Sequence, residues 1–336
     1  MTDLVSILIP AFNAENWIHD CVSSAMAQTW PRREIIVVDD GSSDKTLEIA
    51  RGLESGVVKV VTQENTGACG ARNKALSLAQ GDYIQWLDAD DLLHPEKIAR
   101  QLKRADSGQQ SRVLLTCAWG KFFIRHEKAR FERDSLWQDW PAVEWIVTKF
   151  ANNVWMNPAV WLVSRRLTDL AGPWDERLAS SGDDDGEYVC RVVAASSGVK
   201  FVPDARCYYR VGTVGSLNWN MERSERGLEA LVLSLRLSIE HLLRLENSER
   251  TRRASLQLLQ TFMLYFYASD ERLIASMIKL ADELGGDLRP PRAGWKYYPL
   301  ETVVGPRVTK KVMNNWRAAK LLARRRVDWY LDRMAR

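Results

Sequence analysis

Along the first hundred residues, short apolar runs alternate with longer stretches of helical period. "VSILIP" (5–10) reads as a buried strand ended by proline. "AENWIHDCVSSAMAQ" (14–28) spaces Trp17, Ile18, Cys21 and Ala25 at helical intervals. "EIIVVDDGSSD" (34–44) is a second strand, stopped by a turn in which Ser43 or Asp44 is placed to cap the helix "KTLEIARGL". "VVKVVTQ" (57–63) is a third strand, and "TGACGARNKALSLA" (66–79) a glycine-rich entry into a helix. "DYIQWLDADD" (82–91) is a fourth strand that ends in acid, before a helix over 94–104. This alternation over residues 1–105 predicts an α/β unit with a mostly parallel sheet and helices on both faces. Ligands of such sheets bind beyond the carboxyl ends of the strands. The polar clusters "PAFN", "DDGSSD", "QENTG" and "DADD" all fall at those ends, so the topology gathers them into one expected site.

Beyond residue 106 the pattern changes. Residues 106–215 are mixed and rich in tryptophan, as in "LWQDWPAVEW" and "VWMNPAVWL". From about 220 the chain reads helical, and a Pro/Gly-rich linker, "GGDLRPPRAGWKYYP", precedes a last basic amphipathic helix. In that helix Val308, Val312, Trp316, Ala319, Leu322 and Ala323 fall near one face. The organisation expected is a first domain over 1–217 and a helical region over 218–336, without internal repeats.

Composition narrows the class. With 336 residues the chain is long for a single hydrophobic core. Its five cysteines show no Cys-x-x-Cys pair, which argues against a zinc site or disulfide framework and fits a reducing compartment. The N-terminus lacks a basic segment ahead of its first apolar run, so no signal peptide is expected, and no run approaches a membrane span. The net charge of +4 is uneven: residues 301–336 carry +7, leaving about −3 on the rest, where the acidic motifs lie.

Each chemical motif has a plain alternative. Asp88 and Asp90 at a strand tip, with small Ala89 between, are hard oxygen donors suited to Mg²⁺ or Mn²⁺ shared with phosphates; alone they read equally as an acidic loop before a helix. Asp39 and Asp40, followed by Gly41, suit a carboxylate that accepts from a base or ribose, or a simple turn. "NTGACGARNKAL" has neither dinucleotide nor Walker spacing; what remains is a helix start with Arg72 able to face a phosphate, or a surface arginine. "SSGDDDGEYVCR" places Asp183, Asp184 and Asp185 side by side, a solvated loop, a metal cage or a tuned base.

Together and in this order, "VSILIPAFNAENWI", "EIIVVDDGSSDKT", "NTGACGARNKAL" and "GDYIQWLDADD" resemble the family 2 glycosyltransferases, closely over residues 4–106 and loosely to about 217. The resemblance implies a GT-A nucleotide-sugar-binding fold and inverting transfer of a sugar. It implies that Pro10, Ala11, Phe12 and Asn13 edge the nucleotide pocket, that Asp40 accepts from the base and that Arg72 lies near the diphosphate. It further implies that Asp88, beside Ala89, contacts ribose or sugar hydroxyls and that Asp90 binds Mn²⁺ or Mg²⁺. The general base of that family matches Asp185, with Asp184 in place of the usual Glu and Arg191 six residues on; Asp183 is expected to be a solvated N-cap. One departure stands out: Gly212 occupies the place where many relatives carry a metal-holding His, so Arg210 or a flexible loop would have to compensate.

Trp155 could stack on an acceptor saccharide, although core packing is the plainer reading. The basic helix could lie on anionic lipid, pack on another subunit or simply solvate a bundle; nucleic acid is not expected. The partners implied are a nucleotide sugar, UDP-linked, and a saccharide, glycolipid or protein-glycan acceptor, with a homo-oligomer left open. The expected setting is the bacterial cytoplasm or the inner face of its membrane. The rival reading is a catalytically silent nucleotide-sugar-binding assembly subunit; a nucleotidyltransferase is weaker still.

Overall fold

The computed structural model describes residues 2–105, 112–212, 224–267, 271–289 and 294–335. Strand β1 (Val5–Ala11) leads through α1 (Ile18–Met26) to β2 (Arg33–Asp39), α2 (Thr46–Arg51), β3 (Val58–Thr62), α3 (Ala68–Leu78) and β4 (Tyr83–Trp86). These four strands lie parallel in the order β3-β2-β1-β4. Their near-continuous apolar runs are what a sheet covered on both faces requires: Ile7, Leu8, Ile9, Ile35, Val37 and Val38 are fully buried. Neither Ser43 nor Asp44 is the N-cap of α2, which is Lys45; Asp44, one residue ahead of it, accepts from the Thr46 N–H at 2.9 Å. The parallel register aligns Ala11 with Asp39 and Asp39 with Thr62, so the polar clusters emerge along one edge.

The chain then crosses to a second sheet through β5 (Leu92–Leu93), α4 (Lys97–Lys103), β6 (Val113–Phe122) and β7 (Arg130–Phe131). Helix α5 (Ala142–Asn152) follows, then β8 (Val163–Ser164), which adds antiparallel to β4 at the edge of the first sheet. Helices α6 (Arg165–Ala171) and α7 (Asp184–Ala195) precede β9 (Gly198–Arg210), and the second sheet runs β5-β9-β6-β7.

The fourth strand is shorter than its sequence suggests. β4 stops at Trp86, and Ala89–Asp90 form a turn closed by the Asp91 N–H on the Asp88 carbonyl at 3.0 Å. The chain must change sheets here, because Leu92 and Leu93 pair with Tyr208 and Cys207 of β9. Asp88 and Asp90 are therefore brought together by a turn, not by the alternation of an extended strand.

Helices α8 (Glu225–Leu245), α9 (Glu249–Phe262) and α10 (Glu271–Glu283) follow. Helix α8 packs on α7 and α9 on α5, and their Leu228, Leu231, Leu235, Leu258 and Leu259 join the same apolar core as the sheet. The expected boundary at 217/218 lies outside the described residues, as does most of the loop expected after Gly212.

The last helix, α11 (Tyr298–Ala335), is kinked where Gly305, at φ +77°, precedes Pro306. Its apolar face is turned outward. Val308, Val312, Trp316 and Leu322 are exposed, Trp316 by 66%. The inward side carries Lys310, Met313, Asn314 and Arg317, one face at i, i+3, i+4 and i+7. Farther along, Asp328 clamps the helix to the body, accepting from the Ile124 and Arg125 N–H groups at 3.0 and 3.2 Å and from the Arg125 guanidinium at 2.7 and 2.9 Å. Arg325 donates to the Gly212 carbonyl at 3.1 Å. No helix among the described residues is long and apolar enough to cross a membrane.

Candidate active site

A cavity of about 1150 Å³ opens beyond the carboxyl ends of β1, β2 and β4. Its first wall is made of strand-end loops. Pro10, Ala11, Phe12 and Asn13 border it, with Phe12 half exposed. Asn13 has φ +48°, and its side-chain oxygen accepts from the Ser43 N–H at 2.9 Å, which ties the β1 loop to the β2 loop. Asp40 is buried and acts first as an anchor. Its Oδ1 accepts from Gln63 Nε2 at 2.7 Å and the Thr66 N–H at 2.9 Å, and its Oδ2 from the Gly67 N–H at 2.8 Å. A carboxylate offers about four acceptor positions, so Oδ2 keeps one for a further donor. Gly67 opens α3 at φ +85°, a backbone conformation that side chains disfavour.

The floor is acidic and cross-braced. The Arg72 guanidinium pairs with Asp184 and, at 2.9 Å, with Asp88, and it lies 4.3 Å over the Trp174 ring. Burial opposes its charge, but Asp184 and Asp88 outweigh that and raise its pKa. Arg72 thus fixes two carboxylates that sit on different segments of the chain. The Asp88–Asp91 turn is held from the other side by Arg210, whose Nε donates to the Asp90 carbonyl at 2.8 Å and whose backbone N–H donates to Asp91 Oδ1 at 2.8 Å. Asp91 escaped the sequence reading. It is fully buried, its Oδ2 has no hydrogen-bond partner among the described residues, and burial together with Asp90 and Asp88 raises its pKa well above the usual carboxylate range.

Asp183, Asp184 and Asp185 occupy the start of α7 and separate by environment. Asp183 is the N-cap residue, as expected, but it is half-buried and bonded, not freely solvated. Its carboxylate accepts from Ser234 Oγ of α8 at 2.8 Å and lies over Gly186, where a Cβ would meet it at 2.2 Å. Asp184 is the buried partner of Arg72. Asp185 borders the cavity. Burial, then the Asp184 and Asp183 charges, push its pKa well up, and Arg72 pulls the other way. One turn on, Glu187 accepts from Arg191 and faces His241 of α8 at 2.9 Å. These bonds hold Glu187 below its usual pKa although burial opposes them. Arg191 also donates to the Ala171 and Pro173 carbonyls at 2.7 Å each, so it locks α7 against the preceding loop.

The far wall comes from later segments. Trp155 is 42% exposed and borders the cavity, backed by Trp119 at 4.9 Å and Tyr209 at 5.1 Å. It is a half-open ring on a packed aromatic base, not a core residue. Lys149 of α5 and Lys310, Asn314 and Arg317 of α11 complete this wall.

Residues 6–141 match the model of glycosyl transferase family 2. Over 103 residues the chain is 43% identical to the putative teichuronic acid biosynthesis glycosyltransferase TuaG of Bacillus subtilis, covering 30% of this chain and 41% of that one. Over 101 residues it is 42% identical to the Escherichia coli protein named UDP-Glc:alpha-D-GlcNAc-diphosphoundecaprenol beta-1,3-glucosyltransferase WfaP, covering 30% and 40%. The chain aligns with about two fifths of the length of these relatives. Its fold extends the likeness: S. aureus TarS 1–349, solved with UDP-GlcNAc, superposes with a TM-score of 0.60 over 93% of this chain and 92% of that one, at 17% identity. The mannosyltransferase PcManGT of Pyrobaculum calidifontis, solved with GDP-Man and Mn²⁺, superposes at 0.54 over 94% and 88%, at 18% identity. The fold is GT-A, with the helical region included in the match.

Within the segment that matches the family 2 model lie Pro10–Asn13, Asp40, Arg72, Asp88, Ala89 and Asp90; Trp155, Asp184 and Asp185 lie beyond it, and all border the same cavity. The expectation for Arg72 changes most, since two carboxylates engage its guanidinium. A divalent cation fits the Asp88–Asp91 turn. Asp88 and Asp90 border the cavity, whereas Asp91 is buried behind them, and Mg²⁺ or Mn²⁺ needs only one or two protein oxygens when phosphates and water complete its shell. No cluster of three His, Cys, Asp or Glu side chains suited to a protein-only cage occurs among the described residues. Gly212, at the place where many relatives were expected to carry a His, has φ +80°, and its carbonyl accepts from Arg325.

Proposed function

We propose that this protein is an inverting glycosyltransferase that moves a sugar from a UDP-linked donor to an acceptor hydroxyl, with Asp185 as general base. The observation that carries the reading is that Asp185 borders the same cavity as Asp40, Asp88 and Asp90. In one displacement the acceptor oxygen attacks the anomeric carbon, the bond to the diphosphate oxygen breaks, and the hydroxyl proton passes to Asp185. Attack from the face opposite the leaving group inverts the configuration. The raised pKa of Asp185 makes its ionised form a stronger proton acceptor than an ordinary carboxylate. A divalent cation held by Asp90, with Asp88 beside it, would neutralise charge on the departing diphosphate. Arg72 positions Asp88, and Arg210 holds the turn through the Asp90 backbone carbonyl and the Asp91 carboxylate. The relative whose name specifies a UDP-glucose donor supports the choice of nucleotide, and the fold relative solved with Mn²⁺ supports the metal.

The acceptor is a saccharide, and the outward apolar stripe of α11, flanked by basic residues, supports a seat at the inner face of a bacterial membrane beside a lipid-linked one. The test is UDP release from UDP-sugars with Mn²⁺. Release that requires both Asp90 and Asp185 supports transfer; UDP binding without any release supports a silent binding subunit instead.

A further inference from the structure

The Asp88–Asp91 turn is held by Arg210, and Arg210 leans on groups that α11 holds in turn. The Arg210 Nε donates to the Asp90 carbonyl at 2.8 Å, its Nη1 to the Phe123 carbonyl at 3.1 Å, and its backbone N–H to Asp91 Oδ1 at 2.8 Å. Its guanidinium lies 4.3 Å over the Trp17 ring. Arg210 is buried, so these contacts decide where its charge sits. Two short routes lead from them to α11. On the first, Trp17 also meets the Arg325 guanidinium at 5.0 Å, and Arg325 donates to the Gly212 carbonyl, two residues beyond Arg210, at 3.1 Å. On the second, the Ile124 and Arg125 N–H groups, directly after Phe123, donate to Asp328. Leu321 closes the gap between the routes: a Cβ on Gly212 would meet it at 3.3 Å and Phe123 at 3.5 Å.

Beside these contacts α11 stands off the body. A second cavity of about 740 Å³ lies between Asn16, Trp17 and Ile124 on one side and Leu322, Trp329 and Arg333 of α11 on the other. Trp17 borders both cavities. The end of α11 is thus held by a few polar contacts around a gap, and the Gly305–Pro306 kink lies nearer its start. A helix attached in this way has a docked and an undocked state of its own.

We propose that Arg325 and Asp328 are positioning residues for the donor. The docked α11 braces Arg210 and, through it, the Asp88–Asp91 turn, so docking of α11 and binding of a nucleoside diphosphate with its divalent cation favour each other. This rests on the glycosyl-transfer reading above, which places the diphosphate and cation at that turn, and it adds a regulatory input to the same site. Whatever draws α11 off the body lowers donor affinity, and linkage requires that bound donor hold α11 down in return.

The test reads both directions on the whole chain. UDP with Mn²⁺ is titrated calorimetrically, and limited proteolysis reports release of α11. Hydrogen exchange at the Asp91 and Arg210 amides reports the turn in the ligand-free protein, because these N–H groups donate to the Asp88 carbonyl and to Asp91 Oδ1. Asp328→Ala should release α11, speed exchange at both amides and weaken UDP binding by about fivefold or more, the lower range of ordinary coupling between sites. Arg325→Gln should act in the same direction but less, and Arg325→Lys, which keeps a cation and a donor, should recover part of the loss. Trp316→Ser, on the outward face of the same helix, should leave UDP affinity unchanged. In the wild type, UDP with Mn²⁺ should slow cleavage within α11. The proposal is overturned if Asp328→Ala leaves α11 docked, or if it frees α11 while UDP affinity or exchange at the two amides stays at the wild-type value. Cleavage of wild-type α11 that ignores bound UDP and Mn²⁺ overturns it equally. If UDP with Mn²⁺ fails to bind the wild type, the nucleotide-sugar reading falls, and exchange at Asp91 and Arg210 in the ligand-free variants still decides the brace.

Discussion

The strand-end wall of the cavity and the terminal helix facing it are built on opposite plans. In the first, polar side chains are buried and locked: Asp40 holds the entry to α3, and Arg72 spans Asp88 and Asp184. In the second, α11 turns its polar face to the cavity and its apolar face outward. The difference separates two tasks. The strand-end loops fix geometry, which transfer of a sugar needs to a fraction of an ångström. The helix supplies charge across the mouth, and its outer surface is left for something beyond the chain.

The contrast can be broken at its most rigid point. Arg72→Met leaves Asp88 and Asp184 crowded without their counter-ion, and we expect a loss of about 3–5 kcal/mol in unfolding free energy by denaturant titration. A change below 1 kcal/mol would mean that the bridge does not hold the floor together. On the other wall, Asp328→Ala removes the partner of Arg125 and of two backbone N–H groups. Its expected cost is smaller, about 1.5–3 kcal/mol, and it should appear as increased proteolysis within α11.

A third variant sharpens the electrostatics. Asp185 must be ionised to accept a proton, so kcat/KM should fall as pH drops through its raised pKa, above the carboxylate norm of about 3.9. Asp184→Asn removes a negative neighbour and frees Arg72, and both changes favour ionised Asp185. The acid limb of the rate profile should therefore move to lower pH; a move upward would contradict the assigned charges. The smallest effect is expected at Trp316→Ser on the outward face, within about 0.5 kcal/mol in stability. It should nevertheless weaken co-sedimentation with anionic vesicles if that face meets a membrane.

The two walls also differ in how readable they were. The first four strands and their polar ends stand in the sequence because parallel strands buried on both faces leave unbroken apolar runs that stop at polar clusters. Asp183 as N-cap followed from the charges at the start of a helix. Asp91 was hidden inside an acidic run, because nothing local says that β4 ends at Trp86 and the chain turns toward β9. Arg72 looked like a phosphate ligand because its partner Asp184 lies 112 residues away. The Glu187–His241 contact and the Ser234–Asp183 bond are long-range too. For α11 the period was right and the direction was not inferable: an amphipathic pattern locates a stripe but does not say whether it faces the body or the outside.

The central claim is that Asp185 takes the acceptor proton and does little for donor binding. The measurement is a paired assay on Asp185→Asn: UDP affinity with Mn²⁺ by calorimetry, and UDP release from the UDP-sugar with acceptor present. The account predicts an unchanged affinity within about twofold and a release rate lower by about 10²–10⁴-fold, the usual contribution of a positioned base. Full transfer by Asp185→Asn, or a loss of UDP binding that matches the loss of rate, would contradict it.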